Sequence, residues 1–71
     1  MTTVDARGLA CPLPLTMAKR RMAGLPRGET LVVLATDPEA PIDLGAWAVA
    51  EGHSFDERRL EGWTEYVLVK G

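Results

Sequence analysis

With 71 residues the chain has room for one small domain, and its 46% hydrophobic and 25% charged residues exclude a disordered one. A formal charge of −2 argues against an obligate nucleic-acid binder. The one cysteine, Cys11, excludes an internal disulfide, a four-cysteine zinc site and a Cys-x-x-Cys redox pair.

Thr2 to Ala6 is β-tolerant and ends at the punctuation of Gly8. From Pro12 to about Gly24 the chain reads as a helix, α1, because Leu15, Ala18, Met22 and Leu25 recur on one stripe. Arg20 and Arg21 complement the dipole at its end, and Gly24 and Pro26 stop it. Glu29 to Thr36 carries Leu31-Val32-Val33-Leu34-Ala35, a continuous apolar run suited to a buried strand. Asp37-Pro38 signals a helix start, but Pro41 delays the regular helix, α2, to near Pro41. It runs to about Glu51 with Gly52 at C′; Ile42, Ala46, Val49 and Ala50 share its apolar face, with Trp47 beside them. His53 to Leu60 is a polar strand, Glu61-Gly62 a turn, and Trp63 to Lys70 a strand with Tyr66-Val67-Leu68-Val69 as its apolar segment.

The predicted order is β-α-β-α-β-β. Each helix carries the chain to a parallel neighbour or near-neighbour strand, whereas the last turn is too short for a crossover and makes strand four antiparallel to strand three. Two helices cannot cover both faces of four strands, so the expected architecture is a two-layer α/β sandwich, both helices on one face of a mixed sheet.

Charge is unevenly spread. Residues 1–27 hold five cations against Asp5, while the rest holds three against nine carboxylates, which predicts a bipolar molecule with its basic half around Cys11. No apolar run approaches the roughly 20 residues of a membrane span, and Met1–Asp5 has neither the basic nor the apolar region of a signal peptide. A chain with a free thiol and no export signal is expected in the cytoplasm.

Cys11-Pro12-Leu13-Pro14 is the most informative stretch. A lone cysteine is commonly packing, but a loop-to-helix junction between prolines is poor core territory and favours chemistry. With Cys11 at N-cap, Pro12 and Pro14 fall at N1 and N3, where a missing N–H breaks no helical bond. The amides of Leu13 and Leu15 are then free to face the sulfur. A thiolate or persulfide anion there would gain from the helix dipole, and from Arg7 if it folds over. A proline stands where Cys-x-x-Cys has its resolving thiol. Sulfur added to Cys11 would therefore persist until another protein takes it.

Val4-Asp5-Ala6-Arg7-Gly8-Leu9-Ala10-Cys11-Pro12-Leu13-Pro14 resembles the signature of the TusA/SirA/YedF-type sulfur-carrier proteins. Asp37-Pro38, Asp43 and Gly52-His53 extend the resemblance along the chain. It implies a β-α-β-α-β-β two-layer sandwich and a persulfide carried on Cys11, supported by Arg7, Gly8, Pro12, Leu13 and Pro14. It implies sulfane sulfur taken from a cysteine desulfurase or rhodanese and handed to an acceptor protein, in tRNA thiolation, sulfur oxidation or related trafficking. No cofactor or metal is expected. Some members have a second cysteine in α2; Ala46, Trp47 and Ala48 occupy that region here, so only a one-thiol relay is implied.

Leu13, Met17, Lys19 and Arg20 make an apolar patch with a basic rim beside Cys11, a docking surface for a donor or acceptor. Asp5 reads as a local pair or turn cap, Asp37 as a helix cap, His53 as a hydrogen-bonded structural residue, and Trp47 and Trp63 as core or core-edge. A monomer suffices for such a carrier. The rivals are a non-catalytic regulatory or protein-binding module that docks through the basic α1, and a thiol redox sensor.

Overall fold

The computed structural model describes residues 1–71. Strand β1 (Thr2–Ala6) leads through the Arg7–Pro12 loop into α1 (Leu13–Ala23), followed by β2 (Thr30–Ala35), α2 (Ala40–Glu51), β3 (Ser54–Leu60) and β4 (Trp63–Val69). The sheet order is β1-β2-β4-β3. β1 and β2 are parallel, and β4 is antiparallel to both its neighbours, β2 and β3. α1 thus joins parallel neighbours, and α2 joins two like-directed strands with β4 between them. The β-α-β-α-β-β two-layer sandwich with a mixed four-stranded sheet is the architecture that the periodicities predict. No helix is long and apolar enough to cross a membrane.

Register decides which side chains enter the core. Val4 pairs with Val33, Ala6 with Ala35, Leu31 with Leu68 and Val33 with Tyr66, and all of these are buried. Period-two alternation puts them on one face, where Ala18, Met22, Ala40, Leu44 and Ala48 of the helices close over them. The opposite face carries Val32, Leu34, Val67 and Val69, the alternate residues of the two central strands. The polar strand β3 lies at a sheet edge, where Asp56, Glu57, Arg58 and Arg59 discourage pairing with another chain.

The helix faces differ from those predicted. In α1 the fully buried residues are Pro14, Ala18 and Met22, at i, i+4 and i+8, while Leu15 and Leu25 are only partly covered. Pro14 is both a first-turn residue and a core residue. In α2 the buried residues are Ala40, Leu44 and Ala48. The predicted apolar face is the outer one: Ile42 is 65% and Val49 79% exposed, and Ala46 and Ala50 are exposed as well. The physical reason is that α2 is apolar on most sides, so periodicity alone does not choose its inner face; Ala40, Leu44 and Ala48 meet the sheet, with Gly45 beside them in van der Waals contact with the Phe55 ring.

The helix ends follow local rules. Gly52 adopts φ 76°, its N–H donates to the Val49 carbonyl (3.3 Å) and the His53 N–H to that of Ala48 (2.8 Å), a Schellman closure with Gly52 at C′ as expected. α1 ends at Gly24 with Arg20 and Arg21 in the last turn, and Lys70 Nζ reaches over to donate to the carbonyls of Met22 (3.0 Å) and Leu25 (2.7 Å). That cap comes from the far end of the chain, and helix periodicity gives no hint of it.

Candidate functional site

Cys11 stands in the β1–α1 loop, at the carboxyl ends of the parallel strands β1 and β2, where α/β sheets gather their functional groups. Gly8, at φ 80°, donates its N–H to Thr36 Oγ1 (2.9 Å), and the Cys11 N–H donates to Asp37 Oδ2 (3.0 Å). Both acceptors belong to the β2–α2 loop, so one loop holds the other in place. Asp37 was expected to cap α2. The N-cap is Glu39, with no side-chain cap bond, and the Asp37 carboxylate serves the cysteine loop instead.

The helix frame is shifted relative to the expected one. Pro12 is the N-cap of α1, Leu13 the first helical residue and Pro14 the second. The shift arises because the Leu13 N–H is taken by the Ala10 carbonyl (2.9 Å), while the Thr16 N–H and hydroxyl both donate to the Pro12 carbonyl at 3.0 Å. The Leu13 amide is therefore not free to face the sulfur. Cys11 sits one residue outside the N-cap, where the dipole, worth about half a charge, has already weakened.

Full negative charges dominate there. Cys11 is exposed, and its Sγ donates to Asp43 Oδ2 at 2.8 Å. This hydrogen bond, with desolvation and the charges of Asp43, Asp37 and Glu39, pushes the thiol up from its ordinary 9.0 to about 11. The expected basic surround is thus reversed: the N-terminal end of α2 lays the acidic half of the chain against a cysteine contributed by the basic half. Asp43 enters the sequence reading only as part of the family resemblance, and nothing local to it signals this contact. An acid in a first helical turn ordinarily reads as a dipole complement, and it lies 32 residues from Cys11.

Arg7 is committed to its own neighbourhood. It donates through Nε and Nη2 to the two Asp5 carboxylate oxygens (2.9 and 2.8 Å) and lies 5.0 Å from the Trp63 ring centroid, a cation–π position. Arg7 holds the Asp5 carboxyl at about 2. Asp5 is a local pair, as its position suggests. His53 accepts from the Gly71 N–H (3.0 Å) and meets Trp47 edge-on, a structural role.

Of the expected docking residues, Leu13 is 48% exposed on the first turn, and Lys19 and Arg20 are exposed farther along α1. Met17 is partly buried against the core and offers less surface. No group of three or more ligating side chains is arranged to hold a metal ion. Three open clefts, the largest about 390 Å³, crease the surface, and Cys11 lines none of them. The thiol stands on an open surface that another protein can reach, rather than in a pocket shaped for a small substrate.

Comparison with known proteins points to one family. Residues 2–70 match the family model described as Sulfurtransferase TusA. The sulfur carrier protein TusA of Allochromatium vinosum is 39% identical over 67 residues, 94% of this chain and 88% of that protein. Bacillus subtilis YrkF is 46% identical over 59 residues, but the chain spans only 32% of its length. The crystal structure of a SirA-like protein from Desulfitobacterium hafniense superposes with a TM-score of 0.90 at 30% identity, covering 100% of this chain and 99% of that one. With the family model matched over residues 2–70 and the fold shared with the SirA-like structure, this chain belongs to the TusA family of sulfur carriers.

Proposed function

We propose that the chain carries sulfane sulfur as a persulfide on Cys11, taking it from a cysteine desulfurase or rhodanese and passing it to a cysteine of an acceptor protein. One observation carries this reading: the chain's sole thiol is exposed at a braced loop tip, outside every cleft, in a family of sulfur carriers. Cys11 Sγ attacks the outer sulfur of the donor persulfide and becomes Cys11–S–SH; an acceptor thiolate later attacks that outer sulfur and releases Cys11. With no second cysteine, nothing within the chain can displace the cargo. The protein is a relay between enzymes rather than a stand-alone turnover catalyst, and it works as a monomer in the cytoplasm.

The docking surface in this reading is the exposed part of α1 next to the thiol: Leu13 as apolar contact, Lys19 and Arg20 as basic rim, Met17 as partly buried support. The supporting residues of the loop act through position. Gly8 donates to Thr36, while Pro12 and Pro14 set the start of α1 that fixes Cys11. Arg7, paired with Asp5, contributes through loop geometry and its seat on Trp63. Destinations in tRNA thiolation or in sulfur oxidation both fit, because the same persulfide serves either acceptor.

A redox sensor is a poorer fit, since such sensors rely on low-pKa thiols and this one is raised to about 11. The test is incubation with a cysteine desulfurase and cysteine, followed by mass spectrometry of the intact protein. A gain of one sulfur on Cys11, absent in Cys11→Ser, is the expected result. No gain with several donors, or a gain retained in Cys11→Ser, rejects the carrier reading. A binding module predicts that Cys11→Ala keeps function while charge reversal at Arg20 and Arg21 removes it.

A further inference from the structure

We propose that Asp43 is the base that takes the Sγ proton when Cys11 accepts sulfur, and the acid that returns it when the sulfur is delivered; this rests on the carrier reading. The geometry meets the first requirement of a general base. Asp43 Oδ2 lies 2.8 Å from Sγ, within the hydrogen-bond reach that proton transfer needs, and already accepts the proton that must leave. The Cys11 main chain is fixed by Asp37, so Sγ and Asp43 are held together by two adjacent elements, the β2–α2 loop and α2. The charged groups facing Sγ are Asp43 from α2 and Asp37 and Glu39 from the loop before it; all are acidic.

That surround makes a preformed thiolate scarce and gives the proton transfer something to accomplish. A thiol that ionises only near 11 is a weak nucleophile at neutral pH unless a base acts during attack. The same property hampers delivery, because high-pKa thiolates are poor leaving groups. A carboxylate that takes the proton on loading and gives it back on discharge addresses both difficulties. Asp37 and Glu39 add charge but make no hydrogen bond to the sulfur.

The step balances. The Sγ lone pair bonds to the outer sulfur of R–S–SH, the S–S bond between the inner and outer sulfurs breaks, and its electron pair leaves on R–S⁻. The Sγ proton passes to Asp43 and then to R–S⁻. The products are Cys11–S–SH and R–SH, with the sulfane sulfur exchanged between thiols and no outside oxidant or reductant required.

The test compares two reactions of the full chain at one near-neutral pH. Iodoacetamide alkylation reports the thiolate alone, and rapid-quench uptake from glutathione persulfide reports sulfur acceptance. Asp43→Asn removes a negative charge, so alkylation should speed up by about tenfold or more, since each pKa unit is tenfold in thiolate. Its sulfur uptake should nevertheless fall by about a hundredfold, the low end of what a positioned base contributes. Asp43→Glu should recover most of the uptake. Glu39→Gln, which removes charge without touching the sulfur, should alkylate slightly faster and take up sulfur no more slowly. If uptake in Asp43→Asn rises in step with alkylation, Asp43 merely restrains the thiol and the proposal is overturned. If the wild-type chain takes no sulfur from the persulfide or from a desulfurase, the carrier reading itself fails, and the base role with it.

Discussion

The two helices meet at Cys11 but contribute to it in different ways. α1 supplies the start that positions the sulfur, buries Pro14, Ala18 and Met22, and turns Lys19, Arg20 and Arg21 outward. α2 supplies no nucleophile, yet its first turn sets the thiol's protonation through Asp43. It buries Ala40, Leu44 and Ala48 and leaves Ile42 and Val49 exposed. The difference follows from how each helix meets the sheet. α2 sets Ala40, Leu44 and Ala48 on the sheet with Gly45 against Phe55, and its first turn carries Asp43 to the Cys11 sulfur. The motif cysteine is thus one residue whose chemistry is set by another segment.

The sharpest way to break this account is at the α2 faces. Leu44 is fully buried, so Leu44→Ala should cost about 2–5 kcal/mol in urea unfolding, a large share of the margin of so small a domain. Ile42→Ala, the same loss of apolar bulk two residues away, should stay within about 0.5 kcal/mol because the residue is already 65% exposed. Comparable losses at the two positions would mean that α2 presents the other face to the sheet.

The helix ends offer a second contrast, of smaller size. Gly52 has φ 76°, and although a Cβ there meets nothing, the left-handed backbone should make Gly52→Ala cost about 1–2 kcal/mol. Gly24 ends α1 at φ −90°, an ordinary conformation, with a Cβ 3.8 Å from the Arg21 carbonyl. Gly24→Ala should therefore be neutral or stabilising by about 0.4–1 kcal/mol, through reduced freedom of the unfolded chain. Thermal unfolding of the two variants side by side reads both signs.

These contrasts also mark what was legible in the sequence. Strand identity, element order, the Gly52 stop and the exposure of Cys11 follow from period, glycine and proline chemistry, all of which act over a few residues. The buried faces of the helices did not follow. Ile42, Ala46, Val49 and Ala50 satisfy helical periodicity, but so do Ala40, Leu44 and Ala48, and in a helix apolar on most sides only tertiary packing chooses which set goes inside. The electrostatics of the site were misjudged for a related reason. Counting charge by segment places cations around Cys11, whereas the tertiary fold places Asp37, Glu39 and Asp43 there and uses Arg7 to neutralise Asp5. Asp43 and Thr36 touch the cysteine loop from across the fold, and contacts of that span leave no local pattern.

The smallest expected effect tests the link between the two helices through protons rather than packing. In the unfolded chain the Cys11 thiol ionises near its ordinary 9.0, whereas in the folded chain it holds its proton to about 11. Below the lower value both states keep the proton, and the interaction with Asp43 is fully present. Between the two values the unfolded state binds fewer protons than the folded one, so stability must fall as pH rises, and the fall levels off above the upper value. Contributions from the rest of the chain cancel in a difference between wild type and Cys11→Ala. The site is exposed, so the effect should be small, visible as a urea midpoint that drops more in wild type than in Cys11→Ala when the pH is raised across that window. Asp43→Asn should remove most of the excess drop while keeping the thiol. An identical pH response in all three proteins would mean that α2 does not hold the sulfur's proton in solution, and would separate the position of Asp43 from its proposed chemistry.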